Sequence, residues 1–128
     1  MSKTGSLVEF STPTSSSFPA SITAGPDGNL WFIESGANKI GRISTTGSIV
    51  EFNGPTGINT NLQSLIAGPD GAMWFVDIGN QAIGRITTLG VVTEFPLEIS
   101  DRLLGDMALG SDGKFYLSEF TEMLQYQP

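Results

Sequence analysis

The 128-residue chain contains no cysteine and no histidine. Without cysteine there is no disulfide framework and no thiolate metal site. Without histidine the commonest acid/base near neutral pH and the commonest transition-metal ligand are gone. Basic residues are scarce as well: six Lys and Arg stand against thirteen Asp and Glu, a formal charge of −7. Such a surface repels phosphate backbones and anionic lipid, which excludes an electrostatically driven nucleic-acid partner and favours a cationic or neutral one. No stretch reaches the roughly 18 apolar residues of a membrane span, and Met1-Ser2-Lys3-Thr4-Gly5 leads into no apolar signal core. The expectation is a soluble, cytoplasmic chain with no membrane partner.

What the chain has is glycine and proline, sixteen and seven of them, spread between short apolar runs. That is the punctuation of many tight turns rather than of long helices, so the fold class is all-β. Gly25-Pro26-Asp27-Gly28, Gly68-Pro69-Asp70-Gly71 and Gly110-Ser111-Asp112-Gly113 recur at spacings of 43 and 42 residues. This period is that of four-stranded propeller blades. Each turn is followed by an apolar run: Leu30-Trp31-Phe32-Ile33-Glu34, Met73-Trp74-Phe75-Val76-Asp77 and Phe115-Tyr116-Leu117-Ser118-Glu119. Aromatic, β-branched and without a clean period of two, these runs read as strands covered on both faces, as when blades sandwich one another. Lys39-Ile40-Gly41-Arg42-Ile43 and Ala82-Ile83-Gly84-Arg85-Ile86 supply a third strand. Ser48-Ile49-Val50-Glu51-Phe52 and Val91-Val92-Thr93-Glu94-Phe95 supply the outermost one.

The third copy ends before an outer strand, yet Gly5-Ser6-Leu7-Val8-Glu9-Phe10 is nearly identical to residues 47–52 and precedes the first blade. The repeat is therefore circular: residues 1–10 carry the outer strand of the closing blade, residues 18–52 blade 1, residues 61–95 blade 2, and residues 103–128 the inner three strands of blade 3. Propellers have about four to eight blades, so three cannot fill a ring. The expected architecture is a half-propeller that closes as a six-bladed ring in a homodimer, each N-terminal strand completing the partner's C-terminal blade and leaving no open edge. The even joining of Pro128 to residues 5–10 favours a chain complete in itself.

The phrases Ile22-Thr23-Ala24-Gly25-Pro26-Asp27-Gly28-Asn29-Leu30-Trp31-Phe32 and Ala37-Asn38-Lys39-Ile40-Gly41-Arg42-Ile43 resemble the repeat of the virginiamycin B lyase (streptogramin lyase) family, over nearly the whole chain. That resemblance implies a propeller related to a seven-bladed, magnesium-dependent enzyme that opens a cyclic peptide antibiotic by elimination. It also implies catalytic His side chains in the loops entering the innermost strands. Pro19-Ala20, Leu62-Gln63 and Leu104-Gly105 stand at those positions here. None of Ala, Gln or Gly can take a proton beside a carbonyl or protonate a leaving group. The expectation is thus a non-catalytic scaffold or binding module, its ligand unnamed by the sequence. The alternative is a metal-dependent lyase using rim carboxylates.

Glu34, Asp77 and Glu119 fall at equivalent positions, ending the second strand of each blade. Around a channel mouth, six such carboxylates in a dimer could hold a hard cation such as Mg²⁺ or Ca²⁺ through oxygen ligands. The structural reading is that each caps a turn or pairs within its own blade. Asp106, beside the third inner strand, would add an anionic group near the channel. Arg42 and Arg85 are expected to pair with Asp27 or Asp70, or with a neighbouring blade's acid, and Asp27, Asp70 and Asp112 to fold their own turns. Trp31, Trp74 and Tyr116, at one blade position, are expected in the core. Three connections, 11–19, 53–61 and 96–102, differ in sequence while the strands agree. They are where specificity would lie.

Overall fold

The computed structural model describes residues 5–56, 60–98, 104–119 and 122–128. Every regular element among them is a strand. Blade 1 consists of β1 (Pro19–Ala24), β2 (Leu30–Glu34), β3 (Lys39–Ile43) and β4 (Ile49–Asn53). Blade 2 consists of β5 (Leu62–Ala67), β6 (Met73–Asp77), β7 (Ala82–Ile86) and β8 (Val92–Pro96), and the third sheet of β9 (Leu104–Leu109), β10 (Phe115–Glu119) and β11 (Met123–Tyr126). Each sheet is an antiparallel meander in chain order. The Gly-Pro-Asp-Gly and Gly-Ser-Asp-Gly turns join first strand to second, with Gly28, Gly71 and Gly113 all at φ near +80°, a conformation that costs glycine nothing.

The blades stack through their faces. The Trp31, Ile33 and Ile40 face of blade 1 packs on Leu62, Leu65, Met73, Phe75 and Ile86 of blade 2. Trp74, Val76 and Ile83 on the far side of blade 2 pack on Leu104, Met107, Phe115 and Leu117 of the third sheet. Within a blade the aromatic of the second strand stacks on the Phe of the outer strand, Trp31 on Phe52 at 5.5 Å and Trp74 on Phe95 at 5.7 Å. Gly41 and Gly84 on the third strand leave room for the Phe32 and Phe75 rings, which lie where a Cβ would stand.

The inner strands β1 and β5 each carry a bulge, between Ala20 and Thr23 and between Gln63 and Ile66. Ser21 and Ser64 sit in those bulges with φ of 52° and 57°. The second is held by what it binds: Met107 N–H donates to Ser64 Oγ at 2.8 Å, and Ser64 Oγ donates to Asp106 Oδ1 at 2.5 Å, tying β5 to β9.

One departure from the sequence reading follows from the open ends of the stack. Trp31 and Trp74 are buried, but Tyr116 is only half-buried, because no further blade covers its side of β10. Among the described residues, 5–10 form no strand pairing and the third sheet has three strands.

Candidate functional site

Two places carry chemistry: the cleft along the inner strands and the carboxyl pairs inside the blades. The cleft, about 480 Å³, lies between β1, β5 and β9 and is lined by Ser21, Ser35, Asn61, Gln63, Ser64 and Asp106 together with apolar neighbours. Among its lining residues Asp106 alone ionises. Its hydroxyls, amides and single carboxylate suit hydrogen bonding to a neutral or cationic ligand; they supply no base–acid pair.

The three acids singled out from the sequence do not converge there. Glu34 and Asp77 end their strands with side chains fully buried inside their own blades. Each faces a carboxyl from the outer strand of the same blade, Glu51 for Glu34 and Glu94 for Asp77. The strand register explains the meeting. Glu51 stands opposite Gly41, which stands opposite Phe32; side chains two apart on a strand share a face, so Glu34 and Glu51 lie diagonally across the gap beside a residue with no side chain. Asp77, Gly84 and Glu94 repeat the arrangement.

Two carboxylates this close cannot both ionise cheaply. Burial pushes Glu34 up from 4.5 to about 7, reinforced by the facing Glu51; the nearby Ser17 hydroxyl and Lys39 oppose the rise without cancelling it. Glu51 is half-buried, which pushes it up as well, but the hydrogen bond from Glu34, those from Thr14 N–H at 3.2 Å and Thr14 Oγ1 at 2.8 Å, and Lys39 hold it below its ordinary value. The proton therefore resides on Glu34 and is shared with Glu51. In blade 2, burial and Asp77 raise Glu94 to about 7. Asp77 accepts from Asn61 N–H at 2.9 Å, Asn80 N–H at 3.3 Å and Asn80 Nδ2 at 2.9 Å.

Glu119 holds the corresponding position on β10, its backbone N–H donating to Glu122 O at 3.0 Å. Magnesium asks for about six oxygen ligands in near-octahedral array. Among the described residues no group of three or more candidate ligands gathers, so the pairs fit a shared proton better than that ion.

The turn acids do more than fold their turns. Asp27 accepts from Asn29 N–H and from Trp31 Nε1 at 2.9 Å; Asp70 accepts from Trp74 Nε1 at 3.0 Å, and Asp112 from Tyr116 OH at 2.7 Å. Arg42 Nη1 lies 3.5 Å from Asp27 and Arg85 Nε 2.7 Å from Asp70, the pairings expected from the repeat. Arg42 also donates to Thr88 O at 3.1 Å and lies over the Trp31 and Phe52 rings, so it joins two blades. The residues that sequence reasoning overlooked as partners are Glu51 and Glu94. Their signal was present, a Glu-Phe pair in every outer strand, with Glu and Phe necessarily on opposite faces.

Comparison with known proteins agrees with this frame. Residues 1–123 match the model of the virginiamycin B lyase family. The chain is similar to a streptogramin B lyase at 34% identity, with a TM-score of 0.80 over 97% of this chain and 45% of that one. It is similar to virginiamycin B lyase from Staphylococcus aureus at 32% identity, TM-score 0.82, over 97% of this chain and 46% of that one. A catalytically inactive His-to-Ala form of the Staphylococcus aureus enzyme, with Quinupristin, matches at 32% identity and TM-score 0.82, over 99% and 47% of the two chains. This chain thus spans less than half the length of these relatives.

Proposed function

This chain belongs to the virginiamycin B lyase family, and on that premise we propose that it is a non-catalytic member, a half-propeller that assembles with a second copy into a six-bladed ring and binds through its inner cleft. One observation carries the loss of catalysis. A single His-to-Ala change accompanies catalytic inactivity in the Staphylococcus aureus relative, and this chain has no histidine at all. The acids that remain support the same reading, since Glu34 and Asp77 are spent on pairing inside their blades and Asp106 on holding Ser64. Elimination needs a base and an acid beside one substrate. The inner cleft offers one carboxylate.

Assembly is supported by the open ends of the stack. Ile22 is 63% exposed where its counterpart Leu65 is 3% exposed, and Leu30 is 37% exposed where Met73 is fully buried. The face of blade 1 is thus as apolar as the covered face of blade 2, and burying a side chain of that size contributes roughly 1.5–3 kcal/mol.

Two measurements test the proposal. Light scattering is expected to give a mass near twice 13.6 kDa, and a well-folded monomer refutes the ring. Streptogramin B incubated with the protein and Mg²⁺ is expected to stay intact. Turnover that disappears on changing Glu34, Asp77 or Glu119 to Ala establishes the lyase reading instead.

A further inference from the structure

Residues 5–10 pair with no strand, yet they are not loosely placed. The Phe10 ring packs where a Cβ on Gly47 would stand, and the Phe52 ring packs against Gly90 in the same way. Gly47 and Gly90 are the equivalent glycines of the β3–β4 and β7–β8 turns, at φ of 94° and 96°. Phe52 belongs to the outer strand of blade 1 and docks on the turn of blade 2. By the same contact, Phe10 belongs to the outer strand of a blade preceding blade 1.

Beside Phe10 lies an apolar cleft of about 300 Å³, lined also by Pro19, Ile22, Phe32, Ile43 and Ile49. The corresponding wall of blade 2, with Leu62, Leu65, Phe75, Ile86 and Val92, is covered by Trp31 stacked on Phe52. The cleft by Phe10 is therefore shaped for the aromatic of a second strand. On the third sheet that aromatic is Tyr116, half-buried and facing away from blade 2.

We infer that residues 7–11, already seated on blade 1, form an edge to which β11 of a second copy adds antiparallel, with Phe10 opposite Met123, Glu9 opposite Leu124 and Val8 opposite Gln125. The inference rests on the paired-ring reading above and specifies its seam. The register is carried over from β7 and β8, where Ile83 stands opposite Phe95, Gly84 opposite Glu94 and Arg85 opposite Thr93; Met123, Leu124 and Gln125 take those three places on β11, because Tyr116 stands opposite Gln125 as Trp74 stands opposite Arg85. The same register holds between β3 and β4. It brings Tyr116 of the second copy into the cleft against Phe10, as Trp31 meets Phe52 and Trp74 meets Phe95. It also brings Gly5, the counterpart of Gly47 and Gly90 with nothing within 4 Å of its side-chain position, toward Phe95 of that copy. The exchange is an addition of edge to edge, with no arm to unfold.

The chain has no cysteine, so disulfides can report the register. Val8 is 74% exposed and Gln125 is exposed; neither substitution disturbs a core. Directly opposed strand residues have Cα atoms about 4.5–5.5 Å apart, within disulfide reach. The double variant V8C/Q125C, oxidised at micromolar concentration, is expected to run as a dimer on a non-reducing gel, while V8C and Q125C alone stay uncross-linked. A dimer by light scattering that fails to cross-link through V8C/Q125C but does so through V8C/Q127C overturns the register and leaves the ring standing. A monomer closed by an internal disulfide overturns the exchange. A monomer by light scattering overturns the reading on which the inference rests.

Discussion

Replacing Glu94 with Gln tests whether the blade interiors store protons. In the folded chain Glu94 is raised from 4.5 to about 7, by burial and by Asp77, whereas an unfolded glutamate has no such neighbours. Between those two pH values the folded state keeps a proton that the unfolded state has released. Stability is therefore full at and below 4.5, falls as pH rises to 7, and is flat beyond. At 1.36 kcal/mol for each pH unit, the window of about 2.5 units amounts to roughly 3 kcal/mol. Gln presents an amide N–H to Asp77 at every pH, so E94Q should match the wild type near pH 4.5 and exceed it by about 2–3 kcal/mol at pH 8. Urea unfolding followed by tryptophan fluorescence, from pH 4.5 to 8 at fixed ionic strength and protein concentration, reads this directly. Wild type will still slope through Glu34; E94Q should slope about half as steeply. Parallel curves for the two proteins would refute the shared proton.

On the acid side the sign reverses. Asp27, Asp70 and Asp112 are held below 3.8 by hydrogen bonds from Trp31, Trp74 and Tyr116 in turn, so stability should fall as pH drops below that value, leaving an optimum between the two windows that a pH series of melting temperatures will locate. Asp70→Ala leaves the Trp74 indole N–H and the Arg85 guanidinium without their acceptor; a loss of about 1–3 kcal/mol is expected from urea unfolding, and a change under 0.5 would contradict the role given to that turn. Gly84→Ala forces a Cβ into the Phe75 ring, which in a packed core costs about 1–3 kcal/mol or more; differential scanning calorimetry should show a lower melting temperature, whereas Gly71→Ala meets open space and suffers only from its φ of 80°.

The blades were legible because each is written out again: turn, second strand, glycine-bearing third strand and outer strand recur with one period, and any single weak signal is backed by its copies. The Arg–Asp pairs were legible for the same reason. The carboxyl pairs were not, because Glu34 and Glu51 are seventeen residues apart and meet only through the register of β2, β3 and β4. Period alone suggests a ring of acids around a channel; burial inside the blade follows from Gly41, whose missing side chain opens the space between them. Tyr116 shows the opposite error. Its position in the repeat reads as core, but position in a repeat predicts burial only where a neighbouring repeat exists.

That exception bears on how tightly two copies would hold. Inside the chain, the faces that close each blade-to-blade contact are Trp31, Ile33 and Ile40, then Trp74, Val76 and Ile83. On the third sheet the same places hold Tyr116, Ser118 and Met123, with Gln125 Nε2 donating to the Tyr116 hydroxyl and that hydroxyl to Asp112. A Trp and two aliphatics have become a Tyr, a Ser and a Met, and the Tyr and Ser hydroxyls are already satisfied within the sheet. Such a face tolerates water in the free chain, where an apolar one would aggregate. It also gives less on burial. In the proposed ring the seams between copies would therefore be the weak contacts and the seams within each copy the strong ones. Dilution should separate copies long before it unfolds blades, and Tyr116→Trp, which restores the aromatic of the other two blades, should shift that separation to lower concentration in sedimentation velocity. If Tyr116→Trp leaves the midpoint unchanged, Tyr116 does not lie in the seam.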